Sequence, residues 1–371
     1  MDILTYLQES GAMHGPSGHE CEVARWLAQR FEPFCDSVSI DALYNVIAIK
    51  KASRKKPKET EECAQGGQTQ PPAPPKIMMC AHQDEIALMV SDILEDGTLR
   101  MGQVGGVDPR ILPAGTVTVH ATGKSGKTQK LMGVVGAKPP HLLTETERKR
   151  NYKREDLFVD VGLPAEKVRK TIHIGDLITL NGETIPLLNG RAAGKTMDDR
   201  ACIGVMLDAA ERLQGMHHEA DIYFVCTSQE EVGCRGARVA AYAVDPDIAI
   251  ALDVSHANIP QSRPNTTLPL DAPAASYGPF IQHKLLSRLK ETAAKHGIKL
   301  NTEHAQGATY TDADALQIAR EGVPTVLIDL PLKYMHTTVE LLDMNALSEC
   351  GRLVAHFAAE IREGWEVDLW N

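Results

Sequence analysis

Five short clusters along the 371-residue chain place histidine, aspartate or glutamate at or just beyond the ends of apolar runs. They are Ala81-His82-Gln83-Asp84-Glu85, Met197-Asp198-Asp199-Arg200, Gln229-Glu230-Glu231-Val232-Gly233, Leu252-Asp253-Val254-Ser255-His256 and Tyr334-Met335-His336. One such cluster alone is weak: a histidine at a strand end is more often a capped or surface residue, and adjacent acids are common at helix N-termini. Here each acid follows an apolar run or sits in a glycine-rich turn, where unpaired charge is costly unless something neutralises it. Two histidines and three carboxylates would give three protein ligands to each of two divalent ions if one carboxylate bridges. Mixed nitrogen and oxygen ligation suits Zn, Co or Mn, and paired metals are a standard means of making hydroxide near neutral pH. Spacing does not decide whether Asp198 or Asp199 bridges. Neighbours on a strand point to opposite faces, so Glu230 and Glu231 can share a site only near a strand end or turn, as Gly233 suggests.

Elements able to position these clusters are visible in the pattern. Asp2 to about Phe34 reads as helix, turn and helix, broken at Gly15-Pro16-Ser17-Gly18-His19-Glu20, and Val38 to Lys50 as strand material. The segment 51–76 runs from basic to acidic to Gln/Gly/Pro-rich and is expected to be a flexible surface insertion. Ile77-Met78-Met79-Cys80-Ala81 is a buried-strand run. From 91 to 185 short apolar runs alternate with glycines, which predicts an inserted β-rich domain. From 186 to 371 strands (Ile222 to Thr227, Ile248 to Val254, Thr325 to Leu330) alternate with helices (Ala201 to Leu213, Phe280 to His296, Asp312 to Glu321, Met344 to Glu363). The expected fold class is therefore α/β, a mixed sheet flanked by helices with an inserted β-barrel-like domain. Residues 1–90 and 186–371 form the two parts of the catalytic domain. Open α/β sheets place their sites at strand ends.

A formal charge of -10 argues against nucleic acid or an anionic membrane as the partner. The basic runs Lys51 to Lys58 and Arg148 to Arg154 read as solvated surface. Neither a secretory signal nor an apolar span is visible, and the eight cysteines form no paired framework, so a cytoplasmic protein with reduced thiols is expected. Arg200 reads as a structural partner of the acids. His256 reads as a non-ligand, because five other groups already fill the site. Gly102-Gln103-Val104-Gly105-Gly106 lacks the strand–helix context of a phosphate loop and reads as a turn. Thr311 and Asp312 read as helix caps or, by the family resemblance that follows, as substrate contacts.

The chain resembles, over nearly its whole length, the tetrahedral aminopeptidase family of co-catalytic metallopeptidases, zinc-exopeptidase-like enzymes that include some labelled glutamyl aminopeptidase or endoglucanase. The residues carrying the resemblance are, in order, Gly15-Pro16-Ser17-Gly18, Ala81-His82-Gln83-Asp84-Glu85-Ile86, Asp108-Pro109-Arg110, Gly136-Ala137-Lys138-Pro139-Pro140-His141-Leu142-Leu143, Asp198-Asp199-Arg200, Gln229-Glu230-Glu231-Val232-Gly233, Ala251-Leu252-Asp253-Val254, Thr311-Asp312-Ala313, and Tyr334-Met335-His336 followed by Glu340. The resemblance implies two divalent ions per subunit, zinc first among the candidates. His82 and Asp253 would bind one, Glu231 and His336 the other, and Asp198 would bridge. Glu230 would be the general base, and Asp84 would orient His82. It further implies removal of N-terminal residues from peptides by a metal-held hydroxide, and a homo-oligomer, commonly a tetrahedral dodecamer. The segment 51–76 departs from the pattern, as does Lys333, where an arginine is common. Rival readings are a two-metal deacylase, a non-catalytic assembly protein and, weakest, a glycosidase, whose flanking carboxylates would not need histidines.

Overall fold

The computed structural model describes residues 1–53, 73–123, 128–263, 266–362, 364, 365 and 369. Most of the expected insertion at 51–76 lies outside the described residues. Eight strands form the main sheet, in the order Ser37–Ile40, Val46–Lys50, Asp221–Thr227, Lys76–His82, Ile248–His256, Thr325–Leu332, Ala274–Tyr277, Asn301–His304. Pairing is parallel among the four central strands and antiparallel where Val46–Lys50 and Ala274–Tyr277 join them, so the sheet is mixed. The central strands read as unbroken apolar runs because both of their faces are covered: Ile77 to Ala81 and Ile248 to Ala251 are fully buried. Helix Met197–Arg212 packs on Lys76–His82 and Ile248–His256 and against helix Met344–Glu360. Helix Arg235–Val244 packs with Asp312–Leu316.

The strand material expected from Val38 to Lys50 forms a hairpin of two strands, because Asp41 accepts from the N–H groups of Leu43 and Asn45 and turns the chain. The helix starting at Asp312 ends at Leu316 instead of running on to Glu321. Thr325–Leu332 begins soon after, and a left-handed Arg320 reverses the chain before it.

A closed six-stranded barrel, Ala87–Ile93, Leu99–Val104, Leu157–Asp160, Thr128–Ala137, Thr116–Thr122 and Leu177–Leu180 in order around it, encloses a separate core that includes Leu88, Leu99, Val119 and Ile178. Closure removes the exposed strand edges that an open sheet of this size would carry. The chain returns from the barrel through a small antiparallel sheet, Ile185–Leu187, Arg191–Gly194 and Glu340–Asp343, which aligns Gly194 with Glu340. No helix among the described residues is long and apolar enough to cross a membrane. All described cysteines are free thiols.

Strand register delivers the clusters to one place. His82 pairs with Thr227 in one neighbouring strand, and Cys80 pairs with Ala251 in the other. His82 and Asp253, each two residues further on, therefore emerge level with each other at the carboxyl edge. The turn carrying Glu230 and Glu231 follows Thr227 directly.

Candidate metal centre

His82 ends a buried strand and is itself only 2% exposed. Its Nε2 lies 3.0 Å from Asp198 Oδ1. Its Nδ1 lies 3.2 Å from the Asp84 carbonyl and 3.6 Å from Asp84 Oδ1. The Asp84 carboxylate also accepts from the Ser17 hydroxyl at 2.6 Å and from the backbone N–H groups of Glu230 and Glu231 at 3.0 and 3.2 Å. One buried carboxylate thus ties the Gly15-Pro16-Ser17-Gly18 turn, the His82 ring and the Glu230–Glu231 turn together. Gln229, just ahead of that turn, is left-handed (φ 55°), and its N–H is taken by Glu20 at 3.0 Å.

Asp198 opens helix Met197–Arg212 but is extended rather than helical, and its peptide bond to Asp199 is cis. Its second oxygen, Oδ2, lies 3.1 Å from His336 Nε2. The two oxygens of one carboxylate therefore face two different imidazoles, the arrangement a bridging ligand requires. Asp199 is turned beneath the site: its Oδ2 accepts from the His82 N–H at 3.2 Å, and its Oδ1 is buried without a partner. Three groups of possible ligands have their donor atoms within 4.8 Å of one another: His82 with Asp198 and Glu231, His82 with Asp199 and Asp253, and Glu230 with Cys234 and Asp312.

His336 completes the set. Its Nε2 is 3.2 Å from Glu231 Oε1, and its Nδ1 is 2.8 Å from the carbonyl of Gly106, which follows the barrel strand Leu99–Val104. Glu340 braces both halves, accepting from the N–H of His336 at 2.8 Å and from those of Met197 and Asp198 at 2.8 and 3.2 Å. Glu230 reaches in beside these groups, with Oε2 3.8 Å from His82 Nε2 and Oε1 accepting from the Cys234 thiol at 3.3 Å.

The electrostatics follow from crowding. Burial, with Asp312 and Asp84 nearby, pushes the Glu230 carboxyl up to about 8. Burial and the neighbouring Asp199 push Asp253 well above the carboxylate range. Against the effect of its burial, the carboxylates of Asp198 and Glu231 raise His336 to about 11. Asp198 itself is held low, despite burial, by His336 and His82. Imidazole nitrogens and carboxylate oxygens converge here with no lysine or arginine among the cavity's described residues, a donor set whose charge divalent cations would balance.

The neighbouring cations are used elsewhere. Lys195 Nζ donates to Glu85 at 2.5 Å, and fully buried Arg200 donates to the carbonyls of Gln83, Ser10 and Met13 at 2.9, 2.6 and 2.9 Å, so it braces backbone, with Glu85 at 3.5 Å as its ion-pair partner in place of the expected Asp198 and Asp199. His256 is exposed and belongs to none of the three ligand groups. Thr311 caps its helix, accepting from Ala313 N–H, while Asp312 accepts from the Thr227 hydroxyl beside Glu230. All five expected donors and Glu230 line an open cavity of about 620 Å³.

Sequence reasoning missed four contributors. Gly105 and Gly106 read as a plain turn, yet a Cβ on Gly106 would meet His336 Nδ1 at 3.0 Å and one on Gly105 would meet Glu231 Oε2 at 3.2 Å. The paired glycines were the available signal, since they permit a close backbone approach. Glu340 stood in the recognised run without a role. Glu303, on the wall of the same cavity, carried no signal at all.

A family model described as M42 glutamyl aminopeptidase matches residues 66–353. The lysyl aminopeptidase of Pyrococcus furiosus is 36% identical over 355 residues, which is 94% of each chain. Among solved structures, an aminopeptidase from the archaeon Desulfurococcus kamchatkensis superposes with a TM-score of 0.86 at 31% identity, covering 100% of this chain and 98% of that one. The Pyrococcus horikoshii TET1 peptidase, described as assembling into a tetrahedron or a large octahedral shell, gives 0.79 at 26% identity over 97% and 100% of the two chains. Likeness of that extent, over a cavity floored by imidazoles and carboxylates, makes this chain a member of the M42 glutamyl aminopeptidase family and a metal-dependent aminopeptidase.

Proposed function

We propose that the site holds two divalent cations and that the enzyme removes N-terminal residues from peptides bearing a free amine. His82 and Asp253 would hold one ion, Glu231 and His336 the other, and Asp198 both. Zinc suits this donor set best, with cobalt and manganese next. The observation that carries the reading is the Asp198 carboxylate, whose oxygens stand 3.0 and 3.1 Å from the His82 and His336 rings. When bound, two such ions acidify water and polarise a carbonyl. The chain's own groups do the rest. Glu230, which reaches in beside the donor set with Oε2 3.8 Å from His82 Nε2, would take a proton from the attacking water and return it to the leaving amine. Asp84 is a positioning residue: it fixes the His82 ring from behind and holds the backbone of Glu230 and Glu231.

The assembly described for the P. horikoshii relative supports a homo-oligomer here, with a tetrahedral dodecamer as the proposed form. We assign residues 1–90 and 186–371 to the catalytic domain and 91–185 to the inserted one, with the barrel's first strand already starting at Ala87.

The test is hydrolysis of aminoacyl-p-nitroanilides and short peptides by chelated protein and after adding back Zn, Co or Mn, with N-acetylated substrates alongside. Metal-restored cleavage of free-amine substrates alone is the expected result, with two equivalents of metal per chain restoring full rate. Cleavage of the acetylated set would make the enzyme a deacylase instead, and full activity with one equivalent would remove the second ion.

A further inference from the structure

Glu230 turns its two oxygens to different neighbours. Oε2 faces His82 and the donor set, 3.8 Å from Nε2, whereas Oε1 faces the Cys234 thiol at 3.3 Å. Cys234 precedes helix Arg235–Val244, and Asp312 opens helix Asp312–Leu316. Those two helices pack together, which brings the thiol sulfur, an Asp312 oxygen and a Glu230 oxygen within 4.8 Å of one another. Glu230, Cys234 and Thr311 line the cavity, while Asp312, 2% exposed, closes the group on its buried side. The Thr227 hydroxyl donates to Asp312 Oδ2, but Oδ1 is buried and has no partner. The Thr311 carbonyl faces the same place, 3.5 Å from the Cys234 sulfur.

A thiol and two carboxyl groups gathered about one point are donors that a thiophilic metal takes. Zinc holds sulfur at about 2.3 Å and oxygen at about 2.0–2.2 Å, so neighbouring ligands of a tetrahedral ion stand ~3.5 Å apart. The Glu230–Cys234 separation of 3.3 Å is close to that value. Asp312 adds an oxygen to which nothing donates, and a buried acceptor left so is destabilising until something completes it. An ion arriving through the cavity meets Glu230 and Cys234 first and Asp312 behind them. Burial, with Asp312 and Glu230 beside it, pushes the Cys234 thiol up, so the sulfur keeps its proton until a metal displaces it. Binding therefore forms the metal–sulfur bond and releases that proton to solvent. None of the three residues belongs to the five-donor set, so this site fills independently of the other two ions.

We propose that Glu230, Cys234 and Asp312 form a third cation site, which takes a thiophilic divalent ion such as cadmium or surplus zinc and switches the enzyme off by engaging its general base. The inference rests on the reading of Glu230 as that base. A cation on Glu230 favours its charged form and removes its basicity, so the carboxylate no longer takes a proton from the attacking water. Thiolate ligands select soft ions, whereas manganese prefers oxygen, so activation at the donor set and inhibition at Cys234 are separable by the choice of metal.

The experiment uses the metals alone as probes. Enzyme carrying two equivalents of zinc is titrated with further zinc, cadmium or manganese. Aminoacyl-p-nitroanilide turnover, bound metal per chain and the ultraviolet sulfur-to-cadmium charge-transfer absorption are followed together. Zinc and cadmium are each expected to add one equivalent, with both original zincs retained, and to lower turnover at least tenfold. Cadmium should bring the charge-transfer band with it, and manganese at the same concentration should neither bind there nor inhibit. Cys234→Ala should lose the band and need at least tenfold more cation for half-inhibition, read against that variant's own two-ion rate. Asp312→Asn should shift half-inhibition in the same direction. The wild-type titration alone tests the site if neither variant folds. Inhibition without a third equivalent, or inhibition unchanged in Cys234→Ala, would overturn the site while leaving the aminopeptidase intact. A third ion bound with the band at undiminished turnover would overturn the inhibition and, with it, Glu230 as the base. If no chelator-sensitive cleavage appears at all, the aminopeptidase reading falls, whereas the band and the third equivalent still decide the site.

Discussion

The two histidines of the donor set have the same chemistry but opposite surroundings. His82 is 2% exposed and is oriented wholly from within the α/β body, by Asp84, Ser17 and the Glu230–Glu231 turn. The His336 side chain is 31% exposed, sits on a left-handed residue (φ 60°), and takes its ring orientation from Gly106, contributed by the barrel side of the chain. One end of the site is thus fixed by strand register, and the other by how the inserted barrel docks. A ligand held by register can move only if the sheet does, whereas one held across an interface inherits the looser energetics of that interface. An ion held, as proposed, by Glu231 and His336 is accordingly expected to exchange first as metal is withdrawn.

The largest expected effect tests whether the comparison concerns metal binding rather than proton transfer. Glu230→Gln leaves the backbone contacts to Asp84 in place and removes the proposed base. It should lower kcat by about 10²- to 10⁴-fold while metal analysis still finds both ions. A variant with wild-type turnover would end the base assignment. Next comes Gly106→Val, which places side-chain atoms against a ring whose nitrogen is already 3.0 Å from the Cβ position. Affinity for one ion should fall about 10- to 100-fold, the range seen for disturbed orienting partners, while the other ion binds as before. Equal weakening of both ions in a metal titration would erase the distinction between the two ends.

The smallest effect lies at the seam between barrel and body. There His14 Nδ1 and His120 Nε2 both meet the Thr179 hydroxyl, at 2.8 and 2.9 Å, with the rings 5.1 Å apart. Burial and the nearby Lys195 lower His14 from 6.5 to about 4, and burial and Lys130 lower His120. Between pH 6.5 and about 4 the unfolded chain takes up a proton that folded His14 does not, so stability rises with pH across this window. The His14 contribution is whole above pH 6.5, shrinks as the pH falls, and is lost once it has passed about 4. His14→Asn should flatten the fall in Tm between pH 7 and pH 5, and identical slopes for variant and wild type would show that the seam does not sense protons.

Much of this was legible in the chain itself. Ile77 to Ala81 had to be a doubly covered strand because nothing in it tolerates water, so His82 had to emerge at its end. The Glu230–Glu231 pair had to lie in a turn, since on a strand the two side chains would diverge. Asp198 and Asp199 could not be told apart, because adjacent acids at a helix start are equivalent until the backbone sends one carboxylate between two rings and the other beneath them. Val38 to Lys50 was legible as strand material but not as a hairpin, because Asp41 gives no periodic signal of the turn it caps. Glu303 was invisible for a different reason: alternating polar residues on a short edge strand describe a solvated surface equally well.

By itself the sequence determined the residue types, the apolar runs that must be buried and the order in which donors follow them, because burial and hydrogen-bond demand act locally along the chain. Only the tertiary structure decided which carboxylate faces both imidazoles, that a barrel glycine steers His336, and that a curled sheet edge brings Glu303 to Ser255. Those relations join residues from 48 to 230 positions apart. Contacts at that range are set by register, closure and docking, which no local pattern encodes.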